Sequence, residues 1–277
     1  MAVEDNELET AADWIRSAQA MIVTAGAGMG VDSGLPDFRG PEGFWSAYPA
    51  LKTQGMCFYD IASPHHFEQD TARLAWGFYG HRLAMYRDVV PHAGFGILHK
   101  WASRMSQGAW VFTSNVDGHF QRGGFAAERV HECHGSIHRL QCARPCCEAT
   151  WPADAFQPVV DADTCLLLNE LPVCPACGGA TRPNILMFDD PSWIDGPSAA
   201  SWERLDAWRR AAKDVLVIEI GAGTDIPTVR RFGERVAGRF LRINPRQWRV
   251  RGGPRSLGIE GTALHVLRQI DRLVGGE

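Results

Sequence analysis

The chain has 277 residues, 45% of them hydrophobic and 22% charged, an ordinary globular composition with enough apolar material for one sizeable core and a satellite module. Its 28 basic and 32 acidic residues leave a net charge of -4, and no run of lysines or arginines has the length that nucleic acid or an anionic membrane would select. Four acidic residues and no apolar stretch occupy positions 1–9, and no later segment approaches the ~20 apolar residues of a membrane span, so a cytoplasmic protein without nucleic-acid or membrane partners is expected.

Leu8, Ala11, Ala12 and Ile15 recur at helical spacing and predict a helix over 7–18. The apolar run 20–24 then predicts a strand, which ends in Gly26-Ala27-Gly28-Met29-Gly30. Glycines at such a turn let the backbone approach a pyrophosphate, and the N–H groups of a following helix start supply positive partial charge. The spacing departs from the dehydrogenase fingerprint, whose third glycine would fall at Val31, so a different use of the nucleotide is expected. Residues 41–56 are rich in Gly, Pro and aromatics without clear periodicity and read as a mobile loop over the nucleotide.

Residues 64–87 read as one or two helices and 92–104 as another. Within the first, Tyr79 and Arg82 stand at i and i+3, so both can reach into one pocket; the same spacing also occurs on ordinary surface helices. A second strand over 109–113 ends in Ser114-Asn115-Val116-Asp117, and a third over 129–133 ends at His134-Gly135. Polar residues at strand ends serve as turn formers when alone. Several of them beside a glycine turn predict one crevice at the carboxyl edge of a parallel sheet, with His134 as candidate general base. Strand character returns at 185–188, at 214–220 before Gly221-Ala222-Gly223, and at 240–243 before Asn244; helices over 227–236 and 261–274 complete the pattern, with Asp225 read as a loop residue. Alternating strands and helices predict an α/β fold, a doubly wound parallel sheet interrupted by insertions.

Seven of the eight cysteines crowd into residues 133–177. Cys174-Pro175-Ala176-Cys177 forms a knuckle, and Cys142 with Cys146 or Cys147 supplies a second pair; Cys146 is favoured because Pro145 tightens the turn before it. Four thiolates favour one Zn2+ with a closed shell, hence a structural ion.

Taken in order, these segments resemble the sirtuins, the NAD-dependent protein deacylases of the Sir2 family. The resemblance is carried by Gly26 to Gly28, by Ser33 to Arg39, by Thr113 to Gly118, by His134-Gly135-Ser136, and by Leu171-Pro172 with the cysteine knuckle. Arg182-Pro183-Asn184, Gly221 to Gly223 and Ile243-Asn244 complete it. It implies a Rossmann-like NAD domain over 1–40, 90–135 and 184–277, and a small domain of helical module plus zinc ribbon over 41–89 and 136–183. It implies that Gly26, Ala27 and Gly28 hold the pyrophosphate, that Asp37, Phe38 and Arg39 lie near the nicotinamide ribose, and that Ser114, Asn115, Val116 and Asp117 line the ribose and nicotinamide pocket. Gly221, Ala222, Gly223 and Asn244 would take the adenosine end, with Ala263 near the adenine. His134, with Asn115, would be catalytic.

The implied reaction consumes NAD as co-substrate and removes acyl groups from lysines of proteins or peptides. Tyr79 and Arg82 match a Tyr-x-x-Arg pair that in some sirtuins recognises succinyl or malonyl groups. Competing expectations are ADP-ribosyl transfer to protein or water, and a non-catalytic NAD-binding module. The chain departs from the family's usual pattern at Gly30 and Gly223, where Ser is usual, at Ser114 for Gln, at Phe95 for His, and at Asp189-Asp190 for Gly-Glu; Cys142 and Cys146 stand one residue further apart.

Overall fold

A computed structural model describes residues 5–36, 40–68 and 70–275. Asp37, Phe38 and Arg39 lie outside the described residues. The strands are β1 (Ala20–Ala25), β2 (Ala109–Thr113), β3 (Val130–Glu132), β4 (Gly135–Cys142), β5 (Thr150–Pro152), β6 (Val160–Asp161), β7 (Leu166–Leu167), β8 (Thr181–Ile185), β9 (Val215–Ile220), β10 (Arg239–Ile243) and β11 (Ser256–Ile259).

Six of them form a parallel sheet in the order β11-β10-β9-β1-β2-β3. Residues of β1 and β9 are buried along their whole length, as strands covered on both faces require. Met21, Val23 and Ala25 face a core shared with helices Asp5–Ser17, Ala93–Ala102 and Ala263–Gly275, whereas Ala20 and Ile22 face the opposite side, where Trp208 and Phe232 pack. The chain reverses its direction of winding between β1 and β9. The carboxyl ends of these two neighbours therefore open the crevice where an open α/β sheet takes its ligand.

A second body joins an antiparallel sheet, β5-β4-β8, to a β6-β7 hairpin and the helix Ala72–Asp88 over a separate, aromatic-rich core. The glycine- and proline-rich stretch 41–56 is no open loop. It folds as helices Gly40–Ala47 and Pro49–Thr53, because Phe44, Tyr48 and Leu51 at i, i+4 and i+7 plug into that core, with the Phe44 ring 5.9 Å edge-on to Phe78. The strand expected at 185–188 is displaced to Thr181–Ile185 and belongs to the small sheet. Edge strand β11 and helix Gly196–Ala211 carried no recognised signal. Among the described residues no helix is long and apolar enough to cross a membrane.

Candidate active site

The two glycine turns at the switch point lie against each other. Gly28 N–H donates to the Gly221 carbonyl at 3.1 Å, and Gly26 N–H to that of Ile220 at 3.0 Å. Gly221 has φ of 62°, and a Cβ there would fall 2.4 Å from the Met29 nitrogen, so only glycine fits. Asn115 ties the second strand end to this turn, its side-chain amide donating to the Gly26 carbonyl at 3.1 Å. Its own N–H is fixed by Thr113 Oγ1 at 3.0 Å.

One cavity of about 690 Å³ gathers Gly26, Ala27, Ser114, Asn115, Val116, Asp117, His134, Gly221, Ala222 and Gly223 at the sheet edge, and Tyr79 and Arg82 from the helix of the second body. His134 sits at the passage from β3 to β4, where Cys133 N–H reaches the Thr113 carbonyl and the His134 carbonyl accepts from Leu186. The following Gly135 has φ of 76°, and a Cβ there would lie 2.2 Å from the Asn184 oxygen. Burial pushes the His134 imidazole below its ordinary pKa, and a hydrogen bond to the Ser114 carbonyl only partly offsets this. The ring is therefore neutral at pH 7. A neutral imidazole keeps one ring nitrogen unprotonated and able to accept a proton.

Asp117 shapes the floor. Its carboxylate accepts from His119 N–H at 2.9 Å, and its carbonyl from His138 Nε2 at the same distance. Neighbouring Glu132 is pushed up to about 8 by burial, with the Asp117 charge adding to the shift, so that it is largely protonated at neutral pH.

Asn244 is buried and acts behind the wall, donating to the Ala222 carbonyl at 3.1 Å and accepting from Arg246 and Gln247 N–H. Ala263 is packed in the main core at the start of the last helix. Residues that the sequence did not single out also line the cavity: Tyr59, Tyr86, Gln247 and Asp225, the last read as an ordinary loop residue. For Tyr86 a signal existed, since positions 79, 82 and 86 share one helical face.

The Asp189-Asp190 departure resolves into two roles. Asp189 has φ of 49°, a left-handed conformation that glycine takes freely and Asp tolerates, and its carboxylate accepts from the Tyr59 hydroxyl at 2.5 Å at the mouth of the cavity. Asp190 turns inward. It pairs with Arg182 through bonds of 2.6 and 2.9 Å, both side chains fully buried, and also accepts from Met187 and Ser192 N–H.

Away from the cavity, the sulfurs of Cys142, Cys146, Cys174 and Cys177 all lie within 4.8 Å of one another. Cys142 and Cys177 are 3.8 Å apart, and Cys146 and Cys174 3.7 Å. A tetrahedron with Zn–S of about 2.3 Å has edges of about 3.8 Å, so the donor set fits one zinc with no open position. Cys174 is drawn down to about 7: burial opposes this, but the N–H groups of Cys177 and Ala176 outweigh it. Cys147 is exposed and stands outside the tetrad, 3.9 Å from Cys146. Elemental analysis is expected to find one zinc per chain, retained in Cys147→Ser and lost in Cys174→Ser; the opposite pattern would reassign the ligand.

Residues 26–207 match the sequence model of the Sir2 family. NAD-dependent protein deacylase 2 of Pyrobaculum aerophilum is 31% identical over 241 residues, covering 84% of this chain and 82% of that relative. NAD-dependent protein deacylase 1 of Pseudomonas aeruginosa is 30% identical over 263 residues, 93% of this chain and 95% of the relative. A Sir2 homologue in complex with NAD shares the fold with a TM-score of 0.68 at 21% identity, over 97% of this chain and 94% of that one. With the paired glycine turns, the Asn115 strand end and the cysteine tetrad in one chain, these matches establish that the protein belongs to the Sir2 family.

Proposed function

We infer that this chain is an NAD-dependent protein lysine deacylase. The observation that carries the reading is the half-buried, neutral His134 imidazole in the same cavity as the Gly26 and Gly221 turns and the Asn115 amide. NAD supplies a ribose carbon whose leaving group is nicotinamide. In this reading Gly26 and Ala27 face the pyrophosphate while Gly28, outside the cavity lining, closes the turn on Gly221; Asn115 and Asp117 orient the nicotinamide end, and Gly221 to Gly223 take the adenosine side. His134 draws a proton from a ribose hydroxyl through its unprotonated nitrogen. Asn244 supports the adenosine end indirectly by fixing Ala222. None of the eight cysteines is joined in a disulfide, which suits a reducing, cytoplasmic compartment.

Arg82 gives the acyl end a preference. A guanidinium at the wall of the cavity favours an acyl group that ends in a carboxylate, such as succinyl or malonyl, over a neutral acetyl. Mass spectrometry of NAD with acetyl-, succinyl- and unmodified lysine peptides tests both statements. Deacylated peptide with nicotinamide and O-acyl-ADP-ribose is expected, faster with succinyl-lysine. Arg82→Met should lower succinyl-lysine kcat/KM by about 10- to 100-fold, the worth of hydrogen bonds to a charged group, and reverse the order. ADP-ribose on protein, or free ADP-ribose without any acylated lysine, would replace the deacylase reading.

A further inference from the structure

At the end of the cavity where Arg82 stands, the Tyr86 hydroxyl is in direct polar contact with it. Nε and Nη2 of Arg82 both donate to the Tyr86 hydroxyl, at 3.2 and 2.9 Å. The guanidinium carbon also lies over three rings, 5.3 Å from the Phe78 centroid, 5.6 Å from Tyr79 and 5.5 Å from Tyr86. Both side chains are buried, and both line the cavity. Two N–H groups converging on one oxygen fix the plane of a guanidinium as well as its position, because a rotation about its terminal bonds breaks both contacts at once. Having accepted twice, the phenol keeps its own proton to donate. Burial, with the Asp117 carboxylate adding to it and Arg82 opposing it, raises the Tyr86 pKa and keeps the phenol protonated.

We propose that Tyr86 is a positioning residue that locks the Arg82 guanidinium in one orientation, so that selectivity for carboxyl-bearing acyl groups belongs to the pair and not to the arginine alone. The proposal rests on the reading of the acyl end given above. A guanidinium held in advance loses little freedom when a carboxylate docks, and the gain appears in substrate binding more than in the chemical step.

The test compares the wild-type protein with Tyr86→Phe, which keeps the ring and removes only the oxygen. Steady-state kinetics on succinyl- and acetyl-lysine peptides are paired with calorimetric binding of each peptide and with the melting temperature. In Tyr86→Phe, KM and Kd for the succinyl peptide should rise about tenfold with little change in its kcat, and the succinyl-to-acetyl ratio of kcat/KM should fall by the same factor. An equal loss on both peptides, with a lowered melting temperature, marks a structural role and overturns the proposal. So does an unchanged ratio beside a clear wild-type preference, which leaves the reading of Arg82 standing. If the wild-type protein itself shows no preference for succinyl-lysine, that reading falls and takes this inference with it.

Discussion

Replacing His134 with alanine is expected to slow deacylation by about 100- to 10,000-fold, the range general base catalysis supplies, while NAD still binds. The expectation follows from where the ring is held. His134 lines the same cavity as the Gly26 turn and Asn115, and its backbone is fixed by the Leu186 N–H on its carbonyl. The same geometry sets a pH dependence. Burial lowers the imidazole pKa, and the neutral form is the one that accepts a proton, so the acidic limb of kcat/KM should lie below about 6.5, the ordinary histidine value. Above that limb His134 should impose no further rise. Near-normal turnover in His134→Ala, or a limb centred well above 6.5, would remove this residue from the base role.

The second large effect is on stability. Asp190→Asn leaves the fully buried Arg182 guanidinium without its counter-charge, and breaking a buried pair by neutralising one partner costs about 3–5 kcal/mol. For a protein of this size that corresponds to a loss of roughly 10 °C in melting temperature. Chemical denaturation gives the free energy directly. A change under about 1 kcal/mol would mean that solvent or a neighbouring dipole replaces the carboxylate, and that the Asp190 loop has no structural weight. Asp189→Gly makes the matching control, since glycine accepts the left-handed backbone at that position and the exposed carboxylate is removed.

What could be read from the chain follows from what each segment packs against. Strands β1, β2 and β9 are covered on both faces, so they appear as uninterrupted apolar runs and their bounds are legible to within a residue or so. The turns after them announce themselves by glycine, because a side chain at Gly221 would collide with backbone. Strand β8 is hidden by its composition. Thr181-Arg182-Pro183-Asn184 reads as a turn, yet Pro183 is accommodated where the pairing with β4 shifts register between Ser136 and Leu140. Helix Gly40–Ala47 is masked by its glycines and proline, although Phe44, Tyr48 and Leu51 keep helical spacing. The His134 and Asn115 side of the cavity lies at strand ends and is therefore visible as motifs. Tyr86 shares the helical face of Tyr79 and Arg82, whereas Asp225 and Gln247 come from segments whose approach to the cavity only the tertiary fold decides.

The cysteine tetrad has a topological consequence. An ion bound by Cys146 and Cys174 would stitch together points 28 residues apart, around the loop that carries β5, β6 and β7. Such an ion is held by the folded ligand set and released by the unfolded chain, so its binding free energy would count directly toward the folding of this segment.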